Sequence, residues 1–454
     1  MSAAEFGIVM MAVPIYSILD AIADLGVTSA LIQRDDHTPE RVSTVYWFNV
    51  LVSFGLFGLL CIGGPLYARL LAQPVLAWLL IAYGGKLIGQ NFYAIPYALL
   101  RKQMQFAEVA KIRTVAYLTE SVTRIVFAGM GWTLWCFSLA AIAKTLVFIL
   151  IVQWRHPFWP KLVFRWKEIQ PFVTFGVRSA ASSLLYYTYT NLDYPVVAYY
   201  FGAAANGVYS LAYWIVLEAV KTIANVVIDV AFPTFARLRD DREALIREFI
   251  KLTRMSLIAI LMLLLLVALV VPEFLELVYA GGTWTPEVIA RCATACRILC
   301  FVGVLRAVGY LGPPLLDGIG RPGLTLRYMT CAAVLLPLSF VASAYWLGPV
   351  LGADAVLSVP IAWAACYPIA FLVLGFLVQQ SIELPIGRYA KASLSIVACA
   401  AGGLVIGYGL SVGLAGVATA VRMVAVGAGA IGGTFALLAW WQRITPRSIA
   451  AALR

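Results

Sequence analysis

Long apolar runs, interrupted only by isolated polar positions, follow one another along the whole chain with short polar segments between them. The stretch from Met255 to Val278 reads MSLIAILMLLLLVALVVPEFLELV. At 1.5 Å per residue it is long enough to cross a hydrocarbon layer about 30 Å thick. Hydropathy windows predict about thirteen spans. Their approximate cores are 8–32, 45–67, 75–100, 109–130, 133–152, 172–200, 205–236, 255–278, 292–318, 324–347, 351–378, 392–412 and 416–440. The pattern is that of an all-α, polytopic integral membrane protein.

The polar segments differ in charge, and the difference sets a topology. Arg34 and Arg41 fall in one loop, Arg101, Lys102, Lys111 and Arg113 in the next basic one, then Arg155, Lys161, Arg165 and Lys167. Arg237, Arg239, Arg242, Arg247, Lys251 and Arg254 follow, then Arg321 and Arg327, then Arg388 and Lys391, then Arg443, Arg447 and Arg454. The loops between these hold almost no cations, so the positive-inside rule places the basic set in the cytoplasm. That register puts Met1–Phe6 on the outer face with no basic leader to deliver them there. A helix is expected ahead of this point: either the start of translation lies further upstream or the first bundle lacks its first helix.

An internal repeat supports that expectation. SAAEFGIVMMA from Ser2 recurs as GAAANGVYSLA from Gly202, and DLGVTSALIQRDD from Asp24 as DVAFPTFARLRDD from Asp229. In both copies an aspartate stands ten positions before an arginine that is followed at once by two aspartates. Both copies run in the same direction, as in a parallel repeat about an axis along the membrane normal, whose substrate site lies between the two halves. The expected organisation is a bundle over 1–152, a cytoplasmic linker with an amphipathic surface segment over 153–171, a second bundle over 172–380, and two added helices with a basic tail over 381–454. Around its four cations the linker carries Trp154, Trp159 and Trp166, a composition suited to the membrane surface and, as a lesser alternative, to a protein partner.

Ionisable residues within spans cost a few kcal/mol each, so they face a partner or an aqueous cavity. The basic ones are Lys86, Arg124, Lys144, Arg178, Lys221, Arg297 and Arg306; the acidic ones are Asp20, Asp24, Glu120, Asp193, Glu218 and Asp229. Glu120 with Arg124, and Glu218 with Lys221, are spaced to pair on one helix. Lys86 and Lys144 have no acidic residue within a turn and fall near mid-span, which makes them the first candidates for binding an anion, with Arg178 and Arg306 beside them. For Arg178, two turns from a cytoplasmic helix end, snorkelling to the lipid headgroups competes with a cavity role. Asp24, Asp229, Asp193 and Asn191 are candidates for coupling or gating. Pro96, Pro195, Pro233 and Pro313 interrupt spans, as hinges or as plain structural kinks.

Composition closes several other routes. The chain is 62% hydrophobic and only 12% charged, too apolar for a water-soluble domain. Its formal charge of +11 follows from the cytoplasmic loops, so no nucleic-acid partner is needed to explain it. The eight cysteines all lie in apolar runs, none in a CxxC pair or near a histidine, and Cys292, Cys296 and Cys300 form a helical stripe without metal-type partners. No metal and no cofactor are expected. The two histidines, His37 and His156, are in expected cytoplasmic loops, which leaves none in the membrane or outside it for general base work. The glycines of LLDGIGRPG around Asp317 follow no strand and precede no GK[ST], so they make no phosphate loop.

Five segments in order then resemble a known family: DLGVTSALIQRDD, STVYWFNV, IPYALLRKQMQF, the stretch from NLDYPVV through FGAAANGVYSLAYW, and AFPTFARLRDD. They are similar to the bacterial polysaccharide transporter family, flippases of the multidrug/oligosaccharidyl-lipid/polysaccharide superfamily, from the first residue to about Gln380. The resemblance implies a two-lobed, non-enzymatic transporter of twelve or fourteen helices in the bacterial inner membrane. It further implies outward movement, by alternating access, of undecaprenyl-diphosphate-linked oligosaccharides for lipopolysaccharide or exopolysaccharide synthesis. Membrane lipids and the polysaccharide polymerase and export machinery are the implied partners. A diphosphate carries about two negative charges, each favoured outward by about 2.3 kcal/mol per 100 mV of inside-negative potential. A cation-coupled multidrug exporter of the same superfamily is the alternative, followed by an integral membrane glycosyl or acyl transferase.

Overall fold

The computed structural model describes residues 1–24, 38–103, 105–414 and 416–442, with the side chains of residues 24, 106, 168 and 171–180 outside that description. The chain divides into two compact units, Met1–Gly207 and Val208–Arg454. The first unit holds α1 (Ala3–Asp24), α2 (Pro39–Leu70), α3 (Val75–Gly89), α4 (Asn91–Lys102), α5 (Phe106–Gly129), α6 (Cys136–Arg155) and α7 (Trp166–Asn191). It also takes in most of α8 (Asp193–Tyr213), which the boundary at Gly207 divides. The second unit continues through a π-helical turn, Trp214–Glu218, into α9 (Ala219–Arg237), α10 (Arg242–Tyr279), α11 (Pro286–Gly309), α12 (Gly312–Gly318) and α13 (Pro322–Leu351). A 3-10 turn, Gly352–Leu357, then leads to α14 (Ser358–Ile382), α15 (Ile386–Gly413) and α16 (Thr419–Gln442).

Eight helical stretches among the described residues are long and apolar enough to cross a membrane; the longest, Pro322–Ile382, comprises α13 and α14. Between them Gly352 turns the chain at φ +55°, a left-handed conformation that glycine adopts without the clash a Cβ would bring. The protein is a multi-pass helical membrane protein, as its hydropathy predicts.

Several expected single spans are in fact two helices, and proline explains two of the breaks. The 292–318 segment divides after Gly309, and α12 restarts with Pro313 in its first turn. The 172–200 segment divides at Leu192, and α8 opens Asp193, Tyr194, Pro195. A first turn needs no intrahelical N–H, so proline is accommodated there, whereas continuing the preceding helix through it would cost a backbone hydrogen bond. Pro195 and Pro313 thus mark helix starts, whereas Pro96 and Pro233 sit inside α4 and α9. The 75–100 segment also divides, at Gln90, where α3 gives way to α4.

A proline inside a helix leaves the carbonyl four residues earlier without its usual donor. In the first unit Pro96 frees the Phe92 carbonyl, which accepts a 2.7 Å hydrogen bond from Gln153 Nε2 of α6. In the second, Pro272 of α10 frees the Ala268 carbonyl, which accepts from Arg297 Nε of α11 at 3.3 Å. Arg297, one of the in-span cations, therefore serves a helix kink. Gln153→Leu is expected to lower stability by about 1 kcal/mol, the net worth of one such hydrogen bond at an exposed position. Pro96→Ala restores the missing N–H, so Gln153→Leu should cost much less in that background, as read by thermal unfolding of the purified protein. Equal losses in both backgrounds would refute this account.

The two sequence copies meet in the first unit. Ala3 and Gly7 of α1 correspond in the repeat to Ala203 and Gly207 of α8. A Cβ on Gly7 would collide with the Ala203 carbonyl and lie 2.7 Å from Gly207 N, and one on Gly207 would collide with the Ala3 carbonyl. The contact is reciprocal, glycine of each copy against alanine of the other. Asn206 Nδ2 closes it with a 2.8 Å hydrogen bond to the Gly7 carbonyl. Small residues let membrane helices approach this closely and gain packing and polar contacts. Just before it, Gly202 bends α8 at φ +84°.

The linker is an irregular strap over 156–165, and helix resumes at Trp166. It is tied to the first turns of α2: Trp47 Nε1 donates to the Lys161 carbonyl at 2.9 Å, Lys161 N to Ser43 Oγ at 3.0 Å, and Lys161 Nζ pairs with Glu40 at 2.9 Å. Backbone-directed bonds of this kind do not need helical periodicity. Trp154 and Trp159 remain more than four-fifths exposed, as residues of an interfacial aromatic belt do.

Candidate functional site

Lys86 lies on α3, which packs against α1. Its Nζ is 2.6 Å from Asp20 Oδ2 of α1 and donates to Tyr83 OH, also at 2.6 Å, while Tyr83 OH donates to Asp20 Oδ2 at 3.2 Å. Tyr83 and Lys86 share a helix face one turn apart. The Tyr83 ring stacks on Tyr16 of α1 at 3.5 Å between centroids, and Tyr16 OH donates to the Leu79 carbonyl. The ring stack thus fixes the phenol that fixes the ammonium. Lys86 is only 12% exposed, whereas Asp20 is 35% exposed, so the carboxylate is the more accessible member of the pair. Asp20 Oδ1 is buried without a hydrogen bond.

Lys144 is placed in the same manner. It rises from α6 to Glu120 Oε2 of α5 at 2.8 Å, and Glu120 Oε1 also receives Arg124 at 3.1 Å. Glu120 and Lys144 are 16% and 19% exposed. The Lys144 ammonium stands 4.9 Å above the Tyr117 ring, and Arg124 lies 4.6 Å above that of Phe137. The sequence expectation that Lys86 and Lys144 lack acidic partners is corrected here: both are paired, by carboxylates on a neighbouring helix. Helical spacing reveals partners within one helix only, which is why Glu120 with Arg124 was legible and Glu120 with Lys144 was not. Three cations, Lys86, Arg124 and Lys144, face two carboxylates, Asp20 and Glu120, so the set carries one net positive charge.

In the second unit Arg306, 3% exposed, lies inside an aromatic box. Its guanidinium carbon is 4.5 Å from the Trp363 ring centre, 5.5 Å from Tyr367 and 5.7 Å from Tyr213. Nη1 donates to Tyr213 OH at 3.2 Å, and Trp363 Nε1 to Tyr209 OH at 2.9 Å. Ring faces attract a cation through their quadrupole most strongly when water is absent. No local spacing signals this box, because Tyr213, Trp363 and Tyr367 come from α8 and α14, remote in sequence from α11. Glu218 and Lys221 pair at 2.8 Å as expected, beside the π-helical turn.

The remaining candidates are scattered. Asp193 is fully buried, and its Oδ1 accepts from Tyr194 N at 3.0 Å. Asn191 Nδ2 donates to the Tyr187 carbonyl at 3.1 Å. Asp229 is exposed on α9. The side chains of Asp24 and Arg178 lie outside the described residues, as does the rest of the first DLGVTSALIQRDD copy. Among the described residues no cluster of histidine, cysteine and carboxylate side chains is arranged to hold a metal.

Comparison with known proteins places this architecture. The chain is 26% identical over 396 residues to the teichuronic acid biosynthesis protein TuaB of Bacillus subtilis, covering 86% of this chain and 78% of TuaB. It is 29% identical over 324 residues to the lipopolysaccharide biosynthesis protein WzxC of Escherichia coli, covering 67% of this chain but only 61% of WzxC. With the succinoglycan biosynthesis transport protein ExoT of Rhizobium meliloti it shares 25% over 315 residues, 68% of this chain and 64% of that one. In fold it is similar to an inward-facing multidrug resistance MATE family transporter of the MOP superfamily, with a TM-score of 0.65 at 17% identity, covering 85% of this chain and 92% of that structure. An outward-facing transporter of the same description gives 0.52 at 16% identity, covering 84% and 86%. The profile of the polysaccharide biosynthesis protein family matches residues 1–289, well over half of the sequence, and the chain belongs to that family.

Proposed function

We propose that this chain flips undecaprenyl-diphosphate-linked oligosaccharide units across the bacterial inner membrane by alternating access, for lipopolysaccharide or exopolysaccharide synthesis. The observation that carries the reading is the pairing of half-buried lysines with carboxylates in a chain of this family. A lipid diphosphate crossing the membrane needs cations at depth, yet an empty carrier cannot leave such cations uncompensated in a low-dielectric setting. Asp20 and Glu120 meet that need when the carrier is empty. A diphosphate then offers Lys86 and Lys144 oxyanions in exchange for carboxylates, and the net positive charge of the set favours the exchange. No bond of the substrate is made or broken, so the role is transport rather than catalysis.

The test is export. In a cell whose own flippase gene is deleted, the intact chain should restore surface polymer, and lysine-to-alanine replacement at both 86 and 144 should reduce it at least tenfold at equal protein level. Wild-type polymer from the double variant would sink the proposal. The multidrug reading is favoured by fold alone; efflux of organic cations driven by sodium or protons, with no polymer restored, would replace the flippase reading with it.

A further inference from the structure

We propose that Arg113 of α5 takes the diphosphate first, at the cytoplasmic face, and that the Tyr117 ring, shared by Arg113 and Lys144, positions both cations for its passage inward. The inference rests on the flippase reading and adds a route to it. Arg113, Tyr117, Glu120 and Arg124 recur at i, i+4, i+7 and i+11, so they form one stripe on a single face of α5. Contacts hold the stripe together. The Arg113 guanidinium carbon stands 5.9 Å from the Tyr117 ring centre, and Lys144 Nζ of α6 stands 4.9 Å from the same centre. Lys144 and Arg124 both reach Glu120. From Arg113 to Arg124 the stripe runs about 16 Å along the helix axis, roughly half the thickness of the hydrocarbon layer.

The cations along it are held differently. Arg113 is exposed, belongs to the cytoplasmic set by the loop-charge pattern, and among the described residues has no carboxylate partner. Lys111 and Arg155 are engaged by Glu108, at 3.9 and 2.7 Å, and Lys144 by Glu120. An anion arriving from the cytoplasm therefore meets at Arg113 a cation with no carboxylate to displace. Three cations, Arg113, Lys144 and Arg124, against one carboxylate, Glu120, leave the stripe two net positive charges, opposite in sign to a diphosphate. A ring face attracts a cation without neutralising it, so Tyr117 can keep Arg113 and Lys144 close together with both charges available to phosphate oxygens. Helix α4 extends the track. Tyr93 and Tyr97 lie 4.8 and 5.6 Å from the ring of Phe148, one turn beyond Lys144 on α6. Tyr97 is within electrostatic range of Arg113, and Tyr93 of Lys86 and Asp20.

Two measurements test this: titration of the purified full-length chain with farnesyl diphosphate, and polymer yield in the flippase-deleted cell at equal protein level. Arg113→Ala should weaken farnesyl diphosphate binding about tenfold, as loss of a charged contact does, and lower polymer at least fivefold. Its thermal transition should not move, because the residue is exposed, and Arg113→Lys should recover most of both losses. At position 117, Tyr117→Phe followed by its difluoro and trifluoro analogues changes ring size little while draining the ring face of electrons. Polymer should fall stepwise along that series, by about threefold in all, whereas a packing role would leave it flat. A flat series would overturn the proposal, as would Arg113→Ala binding farnesyl diphosphate and exporting polymer like the intact chain. If the intact chain binds farnesyl diphosphate with the expected dependence on Arg113 but restores no polymer, the flippase reading fails while capture of the diphosphate by Arg113 stands.

Discussion

Lys86→Met will lower the stability of the purified protein by about 3 kcal/mol, and adding Asp20→Asn will recover most of that loss without recovering export. Removing one member of a largely buried ion pair leaves an uncompensated charge, typically at a cost of about 3–5 kcal/mol. The lower end applies because Asp20 keeps 35% of its side chain exposed and Tyr83 OH remains to donate to it. The double variant carries no charge to strand, so folding returns to near the original level. Polymer export should nevertheless remain at least tenfold reduced, because the neutral pair has no cation to offer a diphosphate. Thermal unfolding and polymer yield, measured on the same three variants, separate the two roles. If the double variant exports normally, Lys86 is a structural partner of Asp20 and nothing more.

Gly207→Ala will cost about 3 kcal/mol, an unusually large effect for one methyl group. Overpacking in a tight interior costs typically about 1–3 kcal/mol, and here the obstacle is backbone. The new Cβ would lie 2.7 Å from the Ala3 carbonyl carbon and 3.2 Å from its Cα, neither of which can rotate away as a side chain does. Gly7→Ala should be comparably harmful, since its Cβ would lie 2.7 Å from Gly207 N and 2.9 Å from the Ala203 carbonyl carbon. Both changes force the same crossing apart and break the Asn206 bond to the Gly7 carbonyl, so together they should cost less than their sum. Gly55→Ala, where nothing lies within 4 Å, is the control and should change stability little. An unchanged transition for Gly207→Ala would show that the crossing is looser than described.

The two predictions stand differently toward the sequence. The correspondence of Gly7 with Gly207 can be read by aligning SAAEFGIVMMA with GAAANGVYSLA, but that the copies press directly on one another cannot. Likewise Lys86 was identifiable as a mid-span cation, while Asp20, far earlier in the chain, could be matched to it only once α1 and α3 were packed. Arg297 shows the opposite risk. Its position in a span suggested function, and its partner is the carbonyl released by Pro272.

Features governed by local chemistry are legible from the residues alone. Apolar runs long enough to span a bilayer must become helices there, because each backbone donor and acceptor has to be satisfied within the run. Proline and glycine mark where helices start and turn, and i, i+3 or i, i+4 spacing exposes the Glu120 and Arg124 pair and the Glu218 and Lys221 pair. Packing settles whatever depends on contact between helices distant in the chain: the carboxylates that hold Lys86 and Lys144, the rings of Tyr213, Trp363 and Tyr367 around Arg306, and the strap on α2. A low-dielectric interior makes those contacts strong enough to set the state of each charge, and helical period carries no information about which helix will supply them.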